Sequence, residues 1–132
     1  MFPHTITVFN KVEDGDDTVY YPTVLGKTLF SYKTVKTTSN EGVLIEGNTL
    51  VVIPSSFISS KNFISIKDYN LIEGTDRDNV FTLNNEDIVV KGRYEGKALT
   101  KRDIFGIFSE VATVVGVKTY DYGLKHWSLV CK

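Results

Sequence analysis

Few residues in this chain could carry catalytic or metal-binding chemistry. His4 and His126 could join Asp121 or Cys131 in a metal site, because imidazole and thiolate groups are common zinc ligands. None of them stands at the close spacing of local metal motifs such as C-x-x-C or H-E-x-x-H. The spacing favours both histidines as partly buried strand residues. Cys131 could also pair with a histidine as a nucleophile, but so close to the C-terminus it is expected to fray.

The acidic residues suggest calcium or acid–base chemistry only at first sight. Calcium loops need oxygen ligands at alternating positions and a distal bidentate carboxylate, an order that residues 13–17 lack. This segment is interpreted as a solvated hairpin tip. Elsewhere, carboxylate pairs lie in turn-like contexts where no feature separates an acid from a base: Asp76 with Asp78, and Glu86 with Asp87. The sequence therefore predicts a protein that is not an enzyme and has no cofactor.

A basic segment with an interleaved tyrosine runs from residue 91 to residue 102. Its cations are Lys91, Arg93, Lys97, Lys101 and Arg102, and Tyr94 lies among them. Such a pattern can contact a nucleic-acid backbone. The whole chain, however, has 15 basic and 16 acidic residues and a net charge of -1, so it has no strong positive field. A charged loop that leads into a helix is the favoured alternative.

The elements that would position these residues are mostly short strands. The length of 132 residues fits one domain, 1–132, and the apolar fraction of 42% supports a packed core. Many short strands separated by turn residues predict a mostly-β fold, a small β-barrel or sandwich with long loops, such as 55–61 and 75–79. Strands are predicted at 4–10, 19–24, 27–38, 43–45, 49–53, 80–83, 87–91, 111–120 and 126–130, and a further short one at 63–66.

Several strands carry more detailed signals. Period-two alternation places Ile6 and Val8 on one face of the first strand and Phe9 on the other. Pro22 predicts a sheet edge or a bulge, because proline cannot donate a ladder hydrogen bond. The continuous β-branched run at 49–53 predicts a strand that is buried on both faces.

One short helix is predicted at about 99–110. Thr100 and Asp103 approximate a capping box, with Asp in place of the usual Glu. Gly106 should weaken the helix and limit it to two or three turns. An apolar stripe runs along it: Leu99, Ile104, Phe105, Ile107 and Phe108.

The sequence also sets expectations about the environment of the protein. A single cysteine allows no intrachain disulfide, so we expect the fold to form in a reducing compartment such as the cytosol. The N-terminus has no secretory signal pattern, and no apolar run approaches the roughly 18–20 residues that span a bilayer. We therefore expect a soluble protein with no membrane partner.

Several segments resemble a family of small phage proteins from Gram-positive hosts that are encoded among head and tail assembly genes. The resemblance covers residues 2–11, 21–25, 51–54, 87–92 and 114–130. Its best part is the end of the chain, where a V-x-x-V-x-x-x-D-Y-G strand and turn precede His126 and Trp127. The sequence departs from the family at Glu86, where the family has a glycine, and across 30–48. The layout is also similar to that of phage head-closure (stopper) proteins.

The resemblance implies a structural virion protein at the head–tail junction, synthesised in the host cytoplasm. Stopper proteins carry a small β-barrel and form a ring of six or twelve copies between the portal-bound adaptor and the tail. The implied partners are other copies of the chain, portal or adaptor proteins, tail proteins and, non-specifically, the DNA in the channel. Copies in such rings meet through heterologous contacts. A tail-completion or tail-terminator ring protein, or a small phage-encoded binding module, are the alternatives.

Under this interpretation, two sets of residues are candidate sites. The basic segment supplies the candidates for facing the channel or its DNA: Lys91, Arg93, Lys97, Lys101 and Arg102. Tyrosines supply the candidates for protein interfaces, where aromatic residues are enriched: Tyr20, Tyr21, Tyr94, Tyr120 and Tyr122.

Overall fold

A computed structural model describes residues 3–38, 42, 44–54, 59, 61–72, 79–120 and 126–132. The described chain is mostly β, as predicted. Its elements are β1 (His4–Asp14), β2 (Asp17–Thr38), β3 (Leu44–Pro54), β4 (Asn62–Phe63), α1 (Ile66–Asn70), β5 (Val80–Phe81), β6 (Ile88–Lys91), α2 (Lys101–Ile107), β7 (Val111–Tyr120) and β8 (His126–Cys131). No helix in these ranges is long and apolar enough to cross a membrane.

Six strands form an antiparallel sheet that closes into a barrel in the order β1-β2-β3-β8-β7-β6. The closure is made by β6, which pairs back onto β1 with Val8 opposite Val89. The 22-residue β2 makes this arrangement possible, because its first half pairs with β1 and its second half with β3. Of the two predicted architectures, the pairing therefore corresponds to the barrel. The short strands β4 and β5 form a separate parallel pair.

Two apolar clusters lie on opposite faces of β1, as the alternation of Ile6, Val8 and Phe9 predicted. The larger cluster draws on all six barrel strands and so fills the barrel interior: Ile6, Val8, Leu25, Phe30, Val51, Ile53, Phe81, Leu83, Val89, Ala112, Val114, Leu129 and Cys131. The smaller cluster packs α2 and the preceding loop against the outside of the barrel: Phe9, Tyr20, Ile88, Val90, Leu99 and Ile104.

The structure corrects two predicted strand breaks. Residues 19–24 and 27–38 belong to one strand, because β2 continues past Gly26 while it changes its partner from β1 to β3. The predicted break at Gly47 is also wrong, since β3 is continuous through it. A side chain at Gly47 would collide with the backbone of Cys131 in β8. This glycine therefore permits close approach of two strands and does not mark a turn.

The prediction of a single helix is wrong, because α1 is a second one. Ser65 begins it by accepting a hydrogen bond from Asp68 N–H, and buried Tyr69 anchors it. The strand predicted at 63–66 is correspondingly limited to β4. The predicted loops at 55–61 and 75–79 lie mostly outside the described residues.

The predicted helix exists as α2, and its capping box between Thr100 and Asp103 is confirmed. The predicted apolar stripe is only partly buried. Ile104 is inaccessible and Phe108, four residues on, is half-buried, whereas Phe105 and Ile107 are 48% and 59% exposed. Phe105 directly follows Ile104, and adjacent residues of a helix do not share a face. Phe108 lies just beyond α2, where the chain is extended.

The prediction that 49–53 is buried on both faces is also corrected. Val51 and Ile53 are fully buried, whereas Leu50 and Val52 are half-buried. The two faces of β3 differ because one lines the barrel interior and the other its outside.

Candidate docking groove

The first half of β2 has an edge that faces away from β1. Tyr20 and Leu99 exchange two backbone hydrogen bonds of 2.8 and 3.0 Å across this edge. Because outward-facing backbone groups alternate along a strand, those of Pro22 and Val24 lie on the same edge as those of Tyr20. Pairing with β3 begins only at Leu29. The edge position predicted for Pro22 is thus confirmed, since its missing N–H falls on the side away from β1.

A groove of about 590 Å³ lies along this edge. The segment 94–98 leads into Leu99 and forms the opposite wall. We call this feature the β2 groove, and its volume is in the range of protein ligand sites. It is lined by Tyr21, Pro22, Thr23, Val24, Lys61, Tyr94, Glu95, Gly96, Lys97 and Ala98.

The wall opposite β2 is fixed by hydrogen bonds. Buried Thr7 donates through Oγ1 to Gly92 O at 2.9 Å and accepts from Tyr94 N–H at 3.0 Å. Tyr94 Oη in turn donates to Lys97 O at 3.0 Å, closing the loop. A side chain at Gly96 would collide with the Tyr94 hydroxyl, so the glycine permits this close contact. The groove is therefore largely formed before anything binds.

The charges of the β2 groove are predominantly positive. Lys61 Nζ donates to Pro22 O at 2.5 Å, and Lys97 is exposed at the opposite wall. The acid that lines the groove, Glu95, forms an ion pair with Arg93 at 2.9 Å. That carboxylate therefore has a cation beside it, and the other charged side chains among the described lining residues are the two lysines.

The five basic candidate residues lie on three successive elements. Lys91 is half-buried at the end of β6, and Arg93 is exposed beside Glu95. Of the five, Lys97 lines the β2 groove. The exposed pair in the first turn of α2 opposes the helix dipole there: Lys101 and Arg102. Lys101 Nζ also lies over the ring of Phe105, 5.9 Å from its centroid.

The tyrosine candidates lie in different environments. Tyr21 and Tyr94, 73 positions apart in the numbering, both line the β2 groove. Tyr20 is only 5% exposed and packs in the smaller cluster, so its proposed role at an interface is corrected. Adjacent strand residues point to opposite faces, which separates these neighbours. The side chain of Tyr120, and Tyr122 as a whole, lie outside the described residues.

Lys61 is the groove residue that sequence reasoning missed. It follows a serine-rich run and shows no motif or periodicity. Its ammonium binds Pro22 O, which lies 39 positions earlier in the chain. No local signal could have identified it.

His4 and Cys131, two of the candidates for metal or nucleophile chemistry, lie within strands of the barrel. His4 Nδ1 accepts a hydrogen bond from Phe30 N–H at 3.0 Å. Cys131 is fully buried in β8, so the prediction that it frays is wrong, and burial raises the pKa of its thiol to about 12. Within the described ranges, no three His, Cys, Asp or Glu residues are grouped so that they could hold a metal ion. The acidic tip is confirmed as a hairpin, with Asp14 opposite Asp17.

A second polar region, which we call the Asp87 centre, lies between β1 and the turn before β6. The buried Asp87 carboxylate accepts hydrogen bonds of 2.9 Å from Asn10 Nδ2, Lys11 N–H and Asn84 N–H. Burial raises the pKa of Asp87 to about 7, although these three donors act in the opposite direction. Glu86 beside it is exposed and pairs with Lys11 at 3.1 Å. The structure thus separates two carboxylates that the sequence left equivalent.

Comparison with known proteins identifies a family for this chain. The model of a family described as a family of unknown function (DUF6751) matches residues 1–132. The chain therefore belongs to that family. No curated protein and no solved structure matches it.

Proposed function

We propose that this chain is a non-enzymatic structural protein that docks onto other protein chains, as a stopper-like ring subunit of a phage head–tail connector. The β2 groove is the observation that carries the docking role. It is a preformed surface feature in which two half-buried tyrosines and two lysines converge on a strand edge. Aromatic side chains are enriched at protein interfaces, and exposed strand edges can bind extended peptides.

Exposed apolar side chains outside the groove also support assembly. Tyr32, Leu71, Phe105 and Ile107 are 48% to 75% exposed. A folded monomer gains nothing from large apolar groups in water, whereas an interface buries them. The small closed barrel and the resemblance to stopper proteins favour a ring over an isolated binding module.

The channel-facing role is proposed for the basic residues outside the groove. Lys101 and Arg102 are exposed on α2, and the dipole of this helix disfavours them there. A position that faces DNA would explain cations at such a site, because phosphates would compensate for them.

The test is deletion of the gene from the phage genome that encodes it, followed by cryo-electron microscopy of the particles. We expect DNA-filled heads that leak and lack tails, with ring density missing at the neck. Wild-type protein supplied from a plasmid should restore tailed particles. Normal joining of heads and tails without the gene would rule out the connector and favour a small binding module.

A second test addresses the exposed apolar residues. The double change Phe105→Ser and Ile107→Ser should leave the monomer folded, because the two residues are 48% and 59% exposed, but should reduce tail joining in the complementation assay. The matched control is Lys67→Ser, an exposed residue on the other helix. Equal titres of tailed particles from both variants would remove α2 from the proposed interface.

A further inference from the structure

We propose that the β2 groove binds an extended, acidic segment of a partner protein, which adds to the edge of β2 as a strand. The inference rests on the proposed function, because it names what the docking site holds. The inference goes beyond the proposed function because it specifies backbone pairing, the chemistry of the partner segment and the residues that recognise this segment.

The backbone geometry supports addition of a strand. The pair between Tyr20 and Leu99 already starts an antiparallel ladder on this edge, and the following segment of β2 continues along the groove with its outward groups directed into it. Residues 21–24 span about 13 Å, and of these Pro22 and Val24 direct their backbone groups away from β1. An extended peptide of similar length would lie between this edge and the wall formed by 94–98 and pair with β2, the mode called β-augmentation.

The edge is selective because only part of it can pair. Pro22 has no N–H, and its carbonyl oxygen already accepts from Lys61. Val24 therefore supplies both a donor and an acceptor to the groove, whereas Pro22 supplies neither a donor nor an uncontested acceptor. Proline and lysine on an edge discourage indiscriminate strand pairing. Affinity must then come largely from the side chains of the partner.

Charge complementarity identifies these side chains as acidic. Lys61 and Lys97 stand on opposite sides of the groove, and Arg93 holds the carboxylate of Glu95. A segment with carboxylates on both sides of its backbone would meet one lysine on each wall. Basic segments would be repelled.

The aromatic walls and the fixed loop reduce the cost of binding. Tyr94 is held by its hydroxyl at Lys97 O, and its ring packs 5.7 Å from that of Phe9. Tyr21 lies on the facing wall. Because these walls are in place before the segment arrives, little side-chain entropy is lost from the protein on binding.

The experiment uses an array of overlapping 12-residue peptides that cover the proteins encoded beside this chain's gene. Each acidic peptide has a matched copy with Asn and Gln in place of Asp and Glu. We expect the bound peptides to be acidic, and their amide copies to bind at least about tenfold more weakly. Hydrogen exchange of the Val24 amide should slow at least about tenfold in the complex, because it gains a strand hydrogen bond.

Variants test the assignment to the groove. Lys97→Glu should weaken binding about tenfold by reversing one charge of the groove, whereas Lys101→Glu, a control of the same type outside the groove, should change it less than about twofold. Val24→Pro removes the backbone donor and should abolish binding, with folding checked by circular dichroism. If Val24→Pro does not fold, the comparison of Lys97→Glu with Lys101→Glu still tests whether the peptide binds in the groove.

Three results would overturn the inference: no peptide binds, the amide copies bind as tightly as the acidic peptides, or Lys101→Glu weakens binding as much as Lys97→Glu. Unchanged exchange of the Val24 amide on binding would likewise exclude strand addition. These outcomes are separate from the deletion test. Tail-less particles together with no binding of acidic peptides would support the connector role and reject the acidic strand in the groove. Binding of acidic peptides together with normal particles would support the acidic strand and reject the connector role.

Discussion

The Asp87 centre and the β2 groove lie on the same β1–β2 hairpin and use polar groups in opposite ways. In the Asp87 centre, a buried carboxylate and the Asn10 amide are hydrogen-bonded to groups within the chain. In the β2 groove, a strand edge, two lysines and two tyrosines surround an open volume of about 590 Å³. The first region joins β1 to a turn more than 70 positions away, and the second lines an open groove.

This difference teaches how the two kinds of polar site can be told apart. Removing a buried carboxylate leaves its hydrogen-bond donors without an acceptor and out of reach of water. Such a carboxylate therefore stabilises the fold. Lysines at the margin of a groove keep contact with water, so removing them should cost the fold little. Four substitutions or titrations test this contrast, from the largest expected effect to the smallest.

Asp87→Ala should lower the free energy of unfolding by about 3 kcal/mol. The change leaves Asn10 Nδ2, Lys11 N–H and Asn84 N–H without their acceptor, and such orphaned donors are expensive in a buried region. Urea denaturation measures the loss. The control Asn85→Ala, at an exposed neighbour, should cost less than about 0.5 kcal/mol. Similar losses for both variants would show that the Asp87 centre does not hold the fold.

The stability of the wild type should fall as the pH rises from about 4 to about 7, relative to that of Asp87→Asn. The folded-state pKa of Asp87, about 7, lies above its unfolded value, so the folded chain binds the extra proton in this window. The slope of the difference should approach, at most, about 1.4 kcal/mol per pH unit. Urea denaturation of both proteins at several pH values measures it. Parallel curves would show that Asp87 is already ionised at pH 4.

Lys61→Met should lower the free energy of unfolding by less than about 1 kcal/mol. Methionine preserves most of the apolar stem, and the bond from Nζ to Pro22 O lies at the margin of the groove where water can replace it. Thermal and urea unfolding measure the change. A loss comparable to that of Asp87→Ala would make Lys61 a structural residue and blur the contrast between the two regions.

Tyr94→Phe should have the smallest effect on stability, about 0.5 kcal/mol or less. It removes one exposed hydrogen bond to Lys97 O and leaves the ring in place against Phe9. Hydrogen exchange over 95–98 should nevertheless speed up, because the hydroxyl closes this loop. Unchanged exchange there would show that the wall is held by Thr7 and Gly92 alone.

Much of the fold could be predicted because it depends on local patterns. Alternation placed Ile6 and Val8 opposite Phe9, Thr100 and Asp103 gave the start of α2, and Pro22 gave an edge. Errors arose where a local signal has two meanings. The break predicted between the strands at 43–45 and 49–53 is wrong, because Gly47 permits close contact with β8, a fact that only the neighbouring strand supplies.

The candidate site was predictable only in part. The sequence identified Tyr21, Tyr94 and Lys97 as candidates, and the fold brings them together in the β2 groove. It could not separate Tyr21 from the buried Tyr20, because that depends on which face of β2 packs on the smaller cluster. It could not find Lys61, because the contact of this residue with Pro22 O spans 39 positions of the chain.

The sequence by itself determined that this is a mostly-β domain with a capped helix near residue 100, since residue period and capping chemistry act over a few positions. The tertiary structure alone decided that the sheet closes into a barrel, that Cys131 is buried, and that Asp87 is enclosed while Glu86 is exposed. These features depend on pairings such as that of β1 with β6, about 80 positions apart. No local pattern encodes such distances, because they result from the packing of the whole chain.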